Sequence, residues 1–259
     1  MELYRECFGQ GTPVMLIHGA LSDHTFFSDV ARNISNHCKV ILYDRRGYGE
    51  NPFIVGMDYS LQTQAKDAYQ VLKFFTAEPV CVVGHSVGAH IALELAIQHP
   101  HIVKRLVLVE PSLAFHSEDA QILAHWRSEL TSLAKSKQIL RIFSSFQQLT
   151  GAKRNERTSF TPKTQPIQLD RMRKNLQTFV YGDLQEMDSF VPLETQLRQL
   201  DVPIIMAVTQ HNLDNAFFNT AIHDGAYFGW PVVSFPGTHS SIKEHAEAFS
   251  KKLIDVLQL

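Results

Sequence analysis

Residues 80 to 92 run Val-Cys-Val-Val, then Gly-His-Ser-Val-Gly, then Ala-His-Ile-Ala, and no other stretch of the chain leaves the backbone so little choice. Four small or β-branched apolar residues predict a strand buried on both faces. From Ala89 onward the apolar Ile91, Ala92, Leu93, Leu95, Ala96 and Ile97 predict a helix buried nearly all round and ended by His99-Pro100. Between strand and helix stands Ser86, with Gly84 and Gly88 two residues to either side. A chain that reverses this sharply brings two backbones together, and glycine is the residue that lets them approach. Ser86 then takes a strained conformation that presents its hydroxyl at the carboxyl end of the strand. The bare pentapeptide arises by chance on the order of 0.1 times in a chain of this length. Its weight comes from the strand and helix around it.

The sequence has the composition of a globular protein, with 44% hydrophobic and 19% charged residues in 259. A net charge of −2 argues against nucleic acid as a general partner. The first 20 residues lack a basic segment followed by an apolar one, and no apolar run reaches 18 residues, so neither a secretory leader nor a membrane span is expected and a cytoplasmic address follows. Cys7, Cys38 and Cys81 have no metal-like spacing and read as free thiols.

Strand candidates fall at Leu3 to Phe8, Val14 to Ile17, Val40 to Tyr43, Val80 to Val83, Leu106 to Val109, Ile204 to Val208 and Val232 to Phe235. Helices are expected from about Phe26 to Ile34 and over Leu61 to Phe75, the latter capped by Ser60. Repeated strand-helix units of this kind predict an α/β fold with a mostly parallel central sheet flanked by helices, its ligand sites at the carboxyl ends of the strands. The stretch from 112 to 200 breaks the rhythm. It reads as helices at Ala120 to Leu133, Gln138 to Leu149, Leu169 to Tyr181 and Leu193 to Leu200, with a polar loop through 153 to 157, and so as an all-helical insertion. That stretch carries 12 Lys and Arg against 9 Asp and Glu, a net +3 against −5 for the remainder. A solvated helix surface explains the excess as well as an acidic substrate would.

Four segments in this order and spacing give the chain its resemblance to the α/β-hydrolase superfamily, in particular to its small single-domain serine hydrolases with a helical cap. They are Leu16-Ile17-His18-Gly19-Ala20, Tyr43 to Asn51, Gly84-His85-Ser86-Val87-Gly88, and Phe235-Pro236-Gly237-Thr238-His239. The resemblance implies a hydrolase core of residues 1–111 and 201–259 with a cap, or lid, at 112–200. It further implies Ser86 as nucleophile, His239 as its base, and the amides of Ala20 and Val87 as an oxyanion hole. His18, next to that loop, is expected to hold the turn by hydrogen bonds, and the Asp44 to Asn51 segment to be structural. Where relatives commonly carry the triad Asp after the strand following the cap, this chain has Asn212. Two carboxylates can take its place. Glu110 ends the strand at 106 to 109, as in relatives that carry their acid after that earlier strand, and Asp214 lies two residues past Asn212 but also suits the N-cap of a helix through residues 216 to 218.

Phe26, Phe27, Phe115, Trp126, Phe143, Phe146, Phe179 and Phe190 supply aromatic surface for an apolar pocket, with Phe26, Phe27, Trp126 and Phe143 the candidate substrate contacts. The expected activity is hydrolysis of a small or medium ester, thioester or lactone with an apolar acyl group, through an acyl-serine intermediate and with no metal or organic cofactor. The same resemblance also covers cofactor-free haloperoxidases, carbon-carbon bond hydrolases and non-catalytic ligand-binding members of the fold. Dehalogenase and epoxide hydrolase readings are disfavoured, since those relatives place Asp where Ser86 stands.

Overall fold

The computed structural model describes residues 1–113, 115, 117–136, 138–149, 166–186, 192–215 and 218–259. Seven strands form one sheet: β1 (Arg5–Phe8), β2 (Pro13–Ile17), β3 (Lys39–Tyr43), β4 (Val80–His85), β5 (Val103–Val109), β6 (Ile204–Thr209) and β7 (Val232–Phe235). Their spatial order is β1-β3-β2-β4-β5-β6-β7, with β1 antiparallel to β3 and every other pair parallel. Each expected strand is present, and β5 begins three residues earlier than its apolar run because Lys104 and Arg105 extend it toward solvent. β2, β4 and most of β5 are buried on both faces, which is why they read as unbroken apolar runs.

Alternate residues of the central strands face opposite layers. Met15, Ile17, Val82 and Leu106 pack with α2 (Leu61–Phe75) and α3 (Val87–Gln98). Leu16, Val83 and Val107 pack on the other side with α1 (Ser28–Ile34) and the C-terminal helix. Ser60 caps α2 as expected, its hydroxyl accepting from the Thr63 amide at 3.3 Å. The first expected helix is divided into a 3-10 turn at His24–Phe27 and α1, and Phe27 is fully buried with Val30, Ile34 and Phe235. Phe27 is therefore a core residue and not the substrate contact expected of it, because its ring points into the layer under α1.

Between β5 and β6 the described residues hold helices and no strand: α4 (Ser117–Lys135), α5 (Ile139–Leu149), α6 (Pro166–Thr178), a π-helical turn (Phe179–Asp183), α7 (Leu184–Glu186) and α8 (Glu194–Arg198). The polar loop at 153–157 lies outside the described residues. After β6 comes α9 (Thr220–Phe228), and after β7 come α10 (Ser241–Glu244) and α11 (Ala246–Leu257), the latter packed on α1. The single amphipathic helix expected after His239 is broken at His245, whose ring lies against Gly237 where a Cβ would collide with it. Cys7, Cys38 and Cys81 are free, and burial pushes the Cys38 thiol up to about 12. Among the described residues no helix is long and apolar enough to cross a membrane.

Candidate active site

Ser86 stands between β4 and α3 with φ 54° and ψ −123°, a conformation that L residues rarely adopt. Its amide donates to the Val109 carbonyl at 2.9 Å, which ties the turn to the neighbouring strand. A Cβ at Gly88 would run into the carbonyls of Ile17 and His18, and one at Gly84 into Gly88 and Ala89. From Val80 to Ala96 every residue is buried except Ser86, which is half-buried. The turn thus leaves one hydroxyl accessible within an otherwise closed strand-helix unit.

Strain of this kind is concentrated around that hydroxyl. Among the described residues the non-glycine positions with positive φ are Leu21 (58°), Ser86 (54°), Glu110 (48°) and Gln258 (57°). Gln258 closes the last helix, while the other three follow the carboxyl ends of β2, β4 and β5. Local strain that no turn residue relieves persists only where the surroundings enforce it.

His239 lies just past β7 and donates from Nδ1 to Glu110 Oε2 at 2.5 Å. Both groups are buried. Glu110 Oε1 also accepts from the Thr209 amide (2.8 Å) and hydroxyl (2.5 Å), and Asn212 Nδ2 donates to Oε1 and Oε2 at 3.0 and 3.1 Å. Burial acts most strongly on this carboxyl and would raise its pKa, but the bonds from His239 and Thr209 together hold it below its ordinary value. The ionised carboxylate keeps the imidazole proton on Nδ1, which leaves Nε2 as the lone-pair nitrogen. The ring itself is stacked on Phe218 at 4.5 Å and tilted against His85 at 4.3 Å. His85 immediately precedes Ser86, and its Nε2 donates to the His239 carbonyl at 2.9 Å, so the serine turn and the histidine loop are joined directly.

Of the two candidate acids, Glu110 is the one hydrogen-bonded to His239. Asp214 is exposed, and α9 begins at Thr220 with Asn219 at its N-cap, while the helix expected through 216 to 218 falls partly outside the described residues. Residues 216 and 217 lie outside the described residues. Asn212 is fully buried and serves as a donor to the carboxylate. Thr209 carries no site signal in the sequence, because it touches the site through Glu110, 99 positions away in the chain, whereas Asn212 and His85 stand in segments the sequence singles out and only their partners come from the fold.

On the other side of Ser86, the Ala20 amide donates to no acceptor among the described residues. Val87 opens α3, so its N-H is one of those a helix start leaves without an intrahelical acceptor. His18 holds the adjoining turn as expected: Nδ1 donates to the Gly19 carbonyl at 2.9 Å and Nε2 accepts the Arg45 amide at 3.1 Å. Its burial lowers its pKa to about 4, with the Arg45 charge adding to the effect, and leaves it neutral.

The model of the alpha/beta hydrolase fold matches residues 12–190, more than half of the chain. The chain belongs to the alpha/beta hydrolase family. It is 25% identical to the uncharacterized hydrolase YraK of Bacillus subtilis over 99% of this chain and 93% of that protein. In fold it is similar to the esterase EaEST of Exiguobacterium antarcticum, with a TM-score of 0.76, 19% identity and coverage of 99% of this chain and 96% of that one. It is likewise similar to a thermophilic esterase of Thermogutta terrifontis, with a TM-score of 0.74, 17% identity and coverage of 99% and 93%.

Around the Ser86 and His239 loops of this alpha/beta hydrolase the surfaces are aromatic. Half-buried Phe26 stacks on His85 at 5.0 Å. Phe146 meets His239 edge-on at 6.3 Å and continues to Phe179 (5.8 Å) and the buried Trp126 (6.0 Å). Trp126 thus backs the aromatic wall through Phe146, while the Phe143 side chain lies outside the described residues. Asp23, His24 and Asp44 place ligand-capable atoms within 4.8 Å of one another. Their oxygens are already occupied: Asp44 accepts from the His24 amide and ring (both 2.8 Å) and the Glu50 amide (2.9 Å), and Asp23 from Thr25 and Asn175. That donor set describes a hydrogen-bonded loop anchor rather than a metal cage.

Proposed function

We propose that this chain is a serine hydrolase acting on carboxylic esters of small or medium size with an apolar acyl group, thioesters and lactones falling in the same class. The observation that carries this reading is the buried Glu110 to His239 hydrogen bond of 2.5 Å, set beside a strained, accessible Ser86. In this reading His239 Nε2 takes the proton as Ser86 Oγ attacks the substrate carbonyl, and Glu110 stabilises the resulting imidazolium without taking the proton itself. The tetrahedral oxyanion accepts from the Ala20 and Val87 amides. The imidazolium then protonates the departing alkoxide and leaves an acyl-Ser86 ester. Water attacks that ester, His239 takes one of its protons, and the same proton returns to Ser86 Oγ as the acid leaves. The sequence needs no cofactor.

The acyl group is placed against Phe26 and Phe146, whose rings border His85 and His239. Residues 112–200 form the cap in this reading, and 1–111 with 201–259 the core that carries Ser86, Glu110 and His239. Two of the fold neighbours are esterases, which agrees in class, and the wall of aromatic rings supports an apolar acyl chain rather than a charged one. Hydrolysis of a chromogenic ester panel, acetyl through decanoyl, by wild type and Ser86→Ala tests it. Turnover that is optimal at one acyl length and falls by at least about a thousandfold in the variant is expected. Turnover that survives the loss of the hydroxyl, or a wild type as inert as the variant across the panel, would overturn it.

A further inference from the structure

Arg45 takes no part in the proton transfers above, and yet it is among the largest fully buried side chains of the protein. Its Nη2 donates to the Gly19 carbonyl at 3.0 Å and to Asp183 Oδ2 at 2.8 Å. Its Nη1 donates to Asp183 Oδ1 at 3.1 Å and to Gln64 Oε1 at 2.8 Å. Asp183 is fully buried in the π-helical turn after α6, and it also accepts the Tyr48 hydroxyl at 2.6 Å. The guanidinium therefore spans the loop after β2 and the helical segment inserted between β5 and β6.

What that contact does follows from the geometry of one peptide. In a trans peptide the C=O and N-H point in opposite directions. The Gly19 carbonyl is drawn to one side by three donors: Arg45 Nη2 (3.0 Å), His18 Nδ1 (2.9 Å) and the Ser22 hydroxyl (3.1 Å). The Ala20 N-H of the same peptide is thereby turned to the other. This peptide runs beside the serine turn, since a Cβ at Gly19 would lie 2.9 Å from His85 Nδ1 and 3.0 Å from Ser86 Cβ. The segment bearing Asp183 grips the neighbouring loop at further points. Asn175 Oδ1 accepts the Gly49 amide at 3.0 Å, Asn175 Nδ2 donates to Asp23 at 3.2 Å, and the Thr178 hydroxyl donates to the Gly47 carbonyl at 2.5 Å. A buried ion pair is costly unless its geometry is well satisfied, and a rigid guanidinium fork can fix two acceptors at once where a lysine cannot.

We propose that Arg45 and Asp183 are a positioning pair that holds the Gly19-Ala20 peptide with its N-H toward Ser86, so that docking of the segment at 166–186 sets the oxyanion hole. The inference rests on the oxyanion role given to Ala20 under the proposed function. Opening of that segment would then loosen the hole as well as uncover it. Neither residue touches substrate.

The test compares wild type, Asp183→Asn, Arg45→Lys and, as a control, Arg46→Met, which breaks the neighbouring pair with Asp67 (2.6 and 2.8 Å) away from Gly19. Two readouts are taken on folded protein: kcat and KM for 4-nitrophenyl acetate, and the Ala20 amide signal in 15N-alanine-labelled samples. Losing an oxyanion donor outright costs about a hundredfold or more in kcat, so a misdirected donor is expected to cost about tenfold, with KM unchanged within twofold and a displaced Ala20 signal. Arg46→Met is expected to lower thermal stability and leave both readouts in place. The proposal fails if both pair variants keep kcat within twofold or if the Ala20 signal does not move. Should Asp183→Asn not fold, the double replacement Arg45→Met with Asp183→Leu removes both charges together and is read the same way. A wild type as inert as Ser86→Ala would overturn the acyl-serine reading alone, because the Ala20 signal still decides whether the pair positions the amide.

Discussion

Glu110 is held by His239, Thr209 and Asn212, and its backbone is strained at φ 48°. A side chain held by so many donors is fixed in place, and its pKa is kept below the ordinary value, both of which suit the role proposed for it as partner of the imidazolium. Glu110→Gln keeps the shape but replaces an acceptor oxygen with a donor facing His239, which favours the wrong ring tautomer. Steady-state kinetics should show kcat lowered by about 10⁴ with little change in KM, while Asp214→Ala stays within twofold of wild type. Equal losses in the two variants would point away from Glu110. In the sequence both carboxylates were visible and each stood between serine and histidine. What separates them is which carboxylate the closed sheet brings against His239, and that contact joins residues 129 positions apart, which leaves no mark in residue order.

The strand-turn-helix unit of β4 and α3 was the part most open to reading, because its constraints are local. Gly88 lies against the carbonyls of Ile17 and His18, at the end of β2. Gly88→Ala must push α3 away from β2, an overpacking that costs about 1–3 kcal/mol, and it should also shift Val87 and its amide. Denaturant titration is expected to show that loss together with a fall in activity larger than the unfolded fraction explains. Full activity in the folded Gly88→Ala protein would mean that the close approach is unimportant. The C-terminal stretch reads as one helix in the sequence because Ile242, Ala246, Phe249 and Leu253 keep a helical period across the break at His245. Side-chain periodicity is insensitive to a single residue leaving the helical region, so a break of this kind escapes a pattern-based reading.

Across the whole molecule, burial of neutral histidines ties stability to pH. His18 is lowered to about 4 and His90 to about 3, in both cases chiefly by burial with an arginine charge nearby, and His85 is also lowered by burial. A histidine whose folded pKa lies below its unfolded value of 6.5 binds its proton preferentially in the unfolded chain. Stability is therefore fully present above pH 6.5 and declines as pH falls toward the folded values. Each such group contributes a slope of at most about 1.4 kcal/mol per pH unit in that window. Glu110 acts lower: its pKa is held below 4.5, so its contribution is present above 4.5 and is lost only as pH falls through the folded value. Urea unfolding between pH 7 and 4 should show a midpoint that drops steadily below 6.5. Replacing His90 with Gln should reduce the slope, and an unchanged slope would remove His90 from the account.

The sheet, its helical layers and the serine turn follow from short-range pattern: unbroken apolar runs for strands buried on both faces, a helical period on α2 and α3, and glycines where two backbones meet. Those features depend on neighbours a few residues apart, so residue order alone specifies them. The identity of the carboxylate beside His239, the core position of Phe27, and the path from Asp183 through Arg45 to the Gly19 carbonyl depend on residues up to 138 positions apart, or on which way a ring points once the layers close. Packing makes such choices because a buried polar group must find its partner wherever the fold brings one, and distance along the chain imposes no limit on that search.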